Sequence, residues 1–172
     1  MYNPNITRTI FTLILFTVFN SQVMALNDQS LESGLTSALR LKKGTTERIG
    51  NSGKAIQAYM REGIVNKKPN QRADYTDYYL VNKPAKFMGH DLIVIEEEYM
   101  SQYIGCCVSP GVGVTVKVIG NTKNLENFAR INGCTFTDNV NLQEELSSVG
   151  INATLTQGRF ASLSCRERDA QQ

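Results

Sequence analysis

Four cysteines constrain this chain more than any other feature. Cys106, Cys107, Cys134 and Cys165 all lie in the C-terminal half of its 172 residues. An even number of thiols in an oxidising compartment normally pairs, and three connectivities are open. A bond between the adjacent Cys106 and Cys107 is the least favoured, because it closes a small strained ring and because neighbouring side chains in a strand point to opposite faces. That opposition lets one thiol reach a helix end at Cys134 and the other the last strand at Cys165. The geometry thus favours Cys106 with Cys134 and Cys107 with Cys165, each bridge worth roughly 3.5–4 kcal/mol in the chain-entropy model, less for the second. The two-residue spacing of thiol redox and metal sites is absent, so the cysteines read as a structural framework.

The compartment is read from residues 1–25, which have the organisation of a signal peptide. Arg8 closes a polar start, Ile10 to Phe19 form an apolar run, and Val23-Met24-Ala25 offers a small-residue cleavage pattern. The run is shorter than the ~20 apolar residues of a spanning helix, and no other segment could cross a bilayer. No cysteine follows the cleavage position to carry a lipid. The expected product is a soluble periplasmic or secreted chain of residues 26–172, one domain with a helical part over 26–65 and a β-rich core over 73–165. A chain of this length buries roughly 68–70% of its unfolded surface, enough for a real core.

Charge excludes one large class of partner. Loss of the signal removes only Arg8 from 18 basic and 16 acidic residues, so the mature chain is close to neutral. Nucleic-acid affinity comes from clustered Lys and Arg on phosphates, and Lys42-Lys43 and Lys67-Lys68 are isolated pairs that read as solvated surface.

Periodicity supplies the element order. Leu31, Leu35, Ala38 and Leu39 mark one face of a first helix, with Asp28 or Ser30 as its cap. A second helix is predicted from about Thr45 to Glu62, weakened at Gly50 and Gly53. Beyond a polar stretch at 66–72 the pattern becomes β: Asp74 to Val81, a turn at Asn82-Lys83-Pro84, the central run Leu92-Ile93-Val94-Ile95, and Val112, Val114, Val116 and Val118 alternating with small or polar residues. A helix carrying Leu125, Phe128, Ala129 and Ile131 ends at Asn132-Gly133. Asn141 with Glu144 starts another short helix. A last strand, Arg159 to Cys165, sets Phe160, Ser162 and Ser164 against Ala161, Leu163 and Cys165. The fold class is α+β, with N-terminal helices followed by a mostly antiparallel sheet, two later helices and disulfide staples.

Three groups of residues are candidates for function. Glu96-Glu97-Glu98 ends the central strand, which places Glu96 and Glu98 on one face, about 7 Å apart, as a weak cation site. Five of the seven tyrosines, Tyr75, Tyr78, Tyr79, Tyr99 and Tyr103, cluster in sequence and form the best candidate for a partner surface, with Tyr75 and Tyr79 on one face and Tyr78 on the other. His90 is the only histidine and has no nucleophile partner in a recognisable motif. Gly111-Val112-Gly113 lacks the following Lys and Ser or Thr of a phosphate loop and reads as turn and strand chemistry. The charged end from Ser164 to Asp169 reads as local pairing and solubility.

These features point first to a binding or accessory protein of the cell envelope that acts through contacts with an unidentified protein partner. No catalytic set, cofactor or metal is called for, and nucleic acid and an integral membrane segment are not expected. The second reading is an enzyme, using thiol–disulfide chemistry at Cys106 and Cys107 or carboxylate-assisted hydrolysis with Glu96, Glu98 and His90. Metal binding is the third.

Overall fold

The computed structural model describes residues 29–100 and 107–171. Helix α1 occupies 29–39 and buries Leu31, Leu35, Ala38 and Leu39, the stripe its spacing predicts. The helix predicted from Thr45 begins later, as α2 over Ser52–Arg61, where the Asn51 side chain accepts from the Lys54 N–H. Residues 41–50 instead fold back on α1, with the Gly50 N–H donating to the Ser37 carbonyl and Leu41 bridged to Arg48. Of the two predicted weak points, Gly50 lies in this loop, whereas Gly53 is accommodated within α2.

Seven strands follow in one antiparallel sheet: β1 (Gln71–Ala73), β2 (Thr76–Leu80), β3 (Lys86–Phe87), β4 (His90–Glu98), β5 (Gly111–Lys117), β6 (Thr135–Asp138) and β7 (Phe160–Arg166). Their order is β1-β2-β4-β5-β7-β6, with β3 beside the start of β4. Helices α3 (Lys123–Asn132) and α4 (Leu142–Ser148) flank β6, and a 3₁₀ turn over Glu167–Gln171 ends the described chain. The fold is α+β, as predicted. Two tight turns, Asp74-Tyr75 and Met88-Gly89, have positive φ at both central residues, the geometry that matches strand twist in two-residue hairpins.

Both sheet faces are covered, unequally. One face carries Ile95, Val112, Val114, Val116 and Leu163 against α1, α2 and α3. On the other, Val94 and Phe160 pack under α4 through Leu142 and Leu146. The alternation predicted for β5 and β7 is present in full. A register shift between Leu92 and Val94 is what lets β4 present Leu92 and Ile95 to one face and Val94 to the other.

The disulfide joins Cys134 to Cys165, with S–S 2.07 Å. This overturns the favoured pairing of Cys106 with Cys134 and Cys107 with Cys165. The premise was that the adjacent cysteines sit in a strand, whereas Cys107 lies exposed in a turn ahead of β5. Gly133 ends α3 in a left-handed conformation and delivers Cys134 beside β7, where Cys165 faces the helices. Cys107 is also disulfide-bonded, so it bonds to neither of these. Cys106 falls outside the described residues, as do the signal segment and Tyr103.

One cation that sequence reading passed over organises this corner. The Arg48 guanidinium donates to the carbonyls of Leu39, Asn132, Gly133 and Arg166, tying the ends of α1 and α3 to β7 beside the disulfide. These carbonyls have no helical partner of their own, and a fork of donors suits them. Burial pulls the Arg48 pKa down, while Asp169 and Glu167 oppose that.

Candidate functional site

The three consecutive glutamates at the end of β4 divide between the two faces of the sheet. Glu96 and Glu98 share a face, as predicted, and hold a cation that the chain itself supplies. Arg166 on β7 donates to Glu96 Oε2 at 2.8 Å, and its Nε lies 3.2 Å from Glu98 Oε2, with Arg168 3.4 Å from the same oxygen. The Arg166 side chain is 8% exposed and that of Glu98 4%. The expected weak cation site is thus filled by a guanidinium.

The glycines of β5 make that contact feasible. Glu96 pairs with Gly113, and Glu98 with Gly111, which pairs in turn with Arg166. Two strand spacings, roughly 9.6 Å, separate β4 from β7. A Cβ on Gly113 would sit 3.2 Å from Glu96 Oε2, and one on Gly111 2.6 Å from the Arg166 Cα. Gly111-Val112-Gly113 is therefore a window in the middle strand through which the outer strands pair charges. The charged end of the chain is part of the same structure: Asp169 is buried and accepts from Thr135, Ser164 and the Arg166 N–H.

Glu97 points the other way, into a cleft of about 570 Å³ bounded by the start of α2, the β1–β2 hairpin and Tyr99. Its cross-strand partner is Asp77, which places two buried carboxyls side by side, with Cβ atoms about 4.5–5.5 Å apart. Arg72 holds both oxygens of Asp77 in a fork, one bond at 2.7 Å, and its guanidinium lies 5.4 Å from the Tyr99 ring centroid. The Tyr79 hydroxyl reaches Asp77 at 3.4 Å, and burial beside that carboxylate pushes its pKa up to about 12. Glu97 has no such cation. Ser52, in the first turn of α2, hydrogen-bonds it, but burial and then the charge of Asp77 hold its pKa above the usual carboxylate range. Since α2 has no acid in its own first turn, Glu97 supplies one from the sheet.

The other candidates are distributed by the same geometry. Tyr79 and the 47% exposed Tyr99 line the cleft, and Tyr75 is exposed at the hairpin tip. Tyr78 belongs to the opposite face, next to Glu96, and burial raises its pKa. Tyr75, Tyr78, Tyr79 and Tyr99 therefore do not make one surface. His90 is buried with both ring nitrogens used: Nδ1 accepts from the Ile119 N–H, so Nε2 carries the proton toward Asn124 Oδ1 at 3.2 Å. It lies at the far end of β4 from the glutamates and joins no site with them. Among the described residues no group of ligating side chains fits a metal ion, and no helix is long and apolar enough to cross a membrane.

Sequence reading missed Asp77, Glu97 and Arg72. A signal was present, since alternation sets Asp77 and Glu97 on the same face as the core residues Tyr79 and Ile95 of their strands. Register alone could bring them together. No known protein family matches this chain, and neither a curated protein nor a solved structure does so.

Proposed function

We propose that this chain is a binding or accessory protein of an oxidising compartment outside the cytoplasm, which engages a protein partner at the cleft beside Glu97. One observation carries the reading: among the described residues, the carboxylates and the histidine that could do chemistry are mostly tied to other groups of the fold. Asp77 has both oxygens in the Arg72 fork, His90 is locked between Ile119 and Asn124, and Glu96 and Glu98 hold Arg166. A carboxylate so engaged is a poor nucleophile or base, which weighs against carboxylate-assisted hydrolysis. What is left open to solvent is recognition chemistry, an exposed tyrosine stacked near Arg72 over a carboxyl that has only a hydroxyl partner. The compartment rests on the Cys134–Cys165 bond and on the signal-like N-terminal sequence.

Thiol chemistry at the Cys134–Cys165 bond is disfavoured on physical grounds. Attack at the partly exposed Cys134 sulfur would expel a Cys165 thiolate into the apolar core, where a charged leaving group is poorly stabilised.

The test is site-specific photocrosslinking in the producing cell, with a photoreactive phenylalanine at Tyr99 and, as control, at the exposed Ile119 at the opposite end of β5. A discrete protein adduct from position 99 alone is expected, and it should persist in Glu97→Gln. Equal adducts from both positions, or none from position 99, would remove the reading.

A further inference from the structure

A second concavity lies between the end of α1, the β3–β4 turn and the outer side of α3, with a volume of about 720 Å³. Its floor is apolar: Leu41, Met88, Phe128 and Ile131. Phe128 and Ile131 are three apart on α3 and share a stripe, but only Phe128 is buried by the fold, and Ile131 is 60% exposed. The apolar face of α3 thus continues past the core into solvent. A single exposed isoleucine is ordinary on a protein surface, whereas one continuous with three further apolar side chains in a groove has unmet burial to gain.

The rim has one sign of charge. Arg40 and Lys43 line the groove and no acidic side chain among the described residues does. Lys42, the neighbour of Lys43, is paired with Glu47 at 3.3 Å, but neither Arg40 nor Lys43 has an acidic partner among the described residues. On α3, Arg130 donates to Asn127 Oδ1 at 2.7 Å, so a third base is bonded to a side chain that lines the groove. The cleft beside Glu97 also has bases, Lys67 and Lys68, but Asp77, Glu97 and Glu98 line it with them, whereas this groove carries bases alone around its apolar floor.

From this complementarity we infer that the groove is a second docking site, which takes an acidic peptide segment of a partner protein carrying at least one large apolar side chain. The carboxylate meets Arg40 and Lys43, the apolar side chain covers Ile131 and Phe128, and a peptide carbonyl meets the Asn127 amide. A peptide fits better than a lipid because the groove is shallow, its floor is interrupted by Asn124, Asn127 and Asn132, and it offers no enclosed channel for an acyl chain. The site is independent of the cleft beside Glu97, which lies at the other end of the sheet.

The experiment selects short peptides from a random display library on the purified full-length chain. It then measures one selected synthetic peptide, and the same peptide with its acidic residues changed to amides, by fluorescence anisotropy and amide chemical-shift mapping. The expected pool is enriched in Asp or Glu close to Leu, Ile, Met or Phe. The peptide should shift resonances at Leu41, Met88, Phe128 and Ile131. Its affinity should fall about tenfold in Arg40→Gln/Lys43→Gln, in Ile131→Ser and in the amide form of the peptide. The amide peptide needs no change in the protein, so a variant that folds poorly does not decide the result. A pool without acidic enrichment, shifts confined to the Glu97 cleft, unchanged affinity of the amide peptide, or binding only to phosphatidylglycerol vesicles would each overturn the assignment.

Discussion

The two faces of the β4 terminus carry the same residue type under opposite conditions. On one face Glu96 and Glu98 meet Arg166 and Arg168 across a glycine window, with charge matched by charge. On the other, Glu97 stands beside a second carboxylate and receives only a hydroxyl. A buried ion pair whose charges are matched is hard to disturb and has little left to offer a ligand. A carboxyl held above its usual pKa in an open cleft costs the fold something, and such groups concentrate where proteins bind or react. The difference teaches that a run of identical residues in a strand is two populations, sorted by pleat.

The largest expected effect breaks the matched face. Arg166→Leu leaves Glu98 buried without a cation and should lower unfolding free energy by about 3–5 kcal/mol in urea titrations. A loss under about 1 kcal/mol would mean that the two faces do not differ in this way. Next come the window glycines. Gly111→Ala must place a Cβ against backbone at φ +148°, for a loss of about 2–4 kcal/mol, whereas Gly113→Ala meets only the movable Glu96 carboxylate and should cost about 1 kcal/mol. Equal losses would argue that the window does not act through Arg166.

On the unmatched face the prediction is a pH dependence. The raised pKa of folded Glu97 means that the native state holds this proton more tightly than the unfolded chain. Its contribution is therefore fully present below the unfolded carboxylate pKa and lost as pH rises through the folded value. Glu97→Gln should flatten that decline and stay within about 1 kcal/mol of wild type at neutral pH. A wild-type and variant pair with parallel pH profiles would sink the assignment. The smallest effect concerns Thr115, fully buried on the matched face with a hydroxyl that has no hydrogen-bond partner among the described residues. Thr115→Val should raise stability by about 1 kcal/mol, seen as a higher melting temperature.

Elements were legible in the sequence wherever burial imposed a period. The valines of β5, the α1 stripe and the Asn132-Gly133 stop to α3 all report local rules that need no partner. Pairings were not legible, because they depend on register. Nothing in Arg166 announces that it will cross a strand to reach Glu96, and the cysteine pairing failed because Cys107 was assigned to a strand it does not occupy. Ile131 failed for a related reason: helical spacing shows that a face is apolar but not where the fold stops covering it. Of the candidate sites, Glu96 and Glu98 were placed correctly on one face, yet Glu97, which the alternation sets opposite them, is the one left in the cleft without a paired cation among the described residues.

The sheet order has a consequence in time. β7, the last strand to be synthesised, lies between β5 and β6, so until residue 166 exists the sheet has an open slot in its interior and two strands with bare edges. Unpaired edges of this kind invite pairing with other chains. The same strand brings Cys165 and Arg166, so insertion, the disulfide and the charge clamp are completed in one late step. A chain that stops short of β7 would therefore leave β6 without a sheet partner and β5 with a bare edge, open to aggregation or degradation before it could become a partially active form.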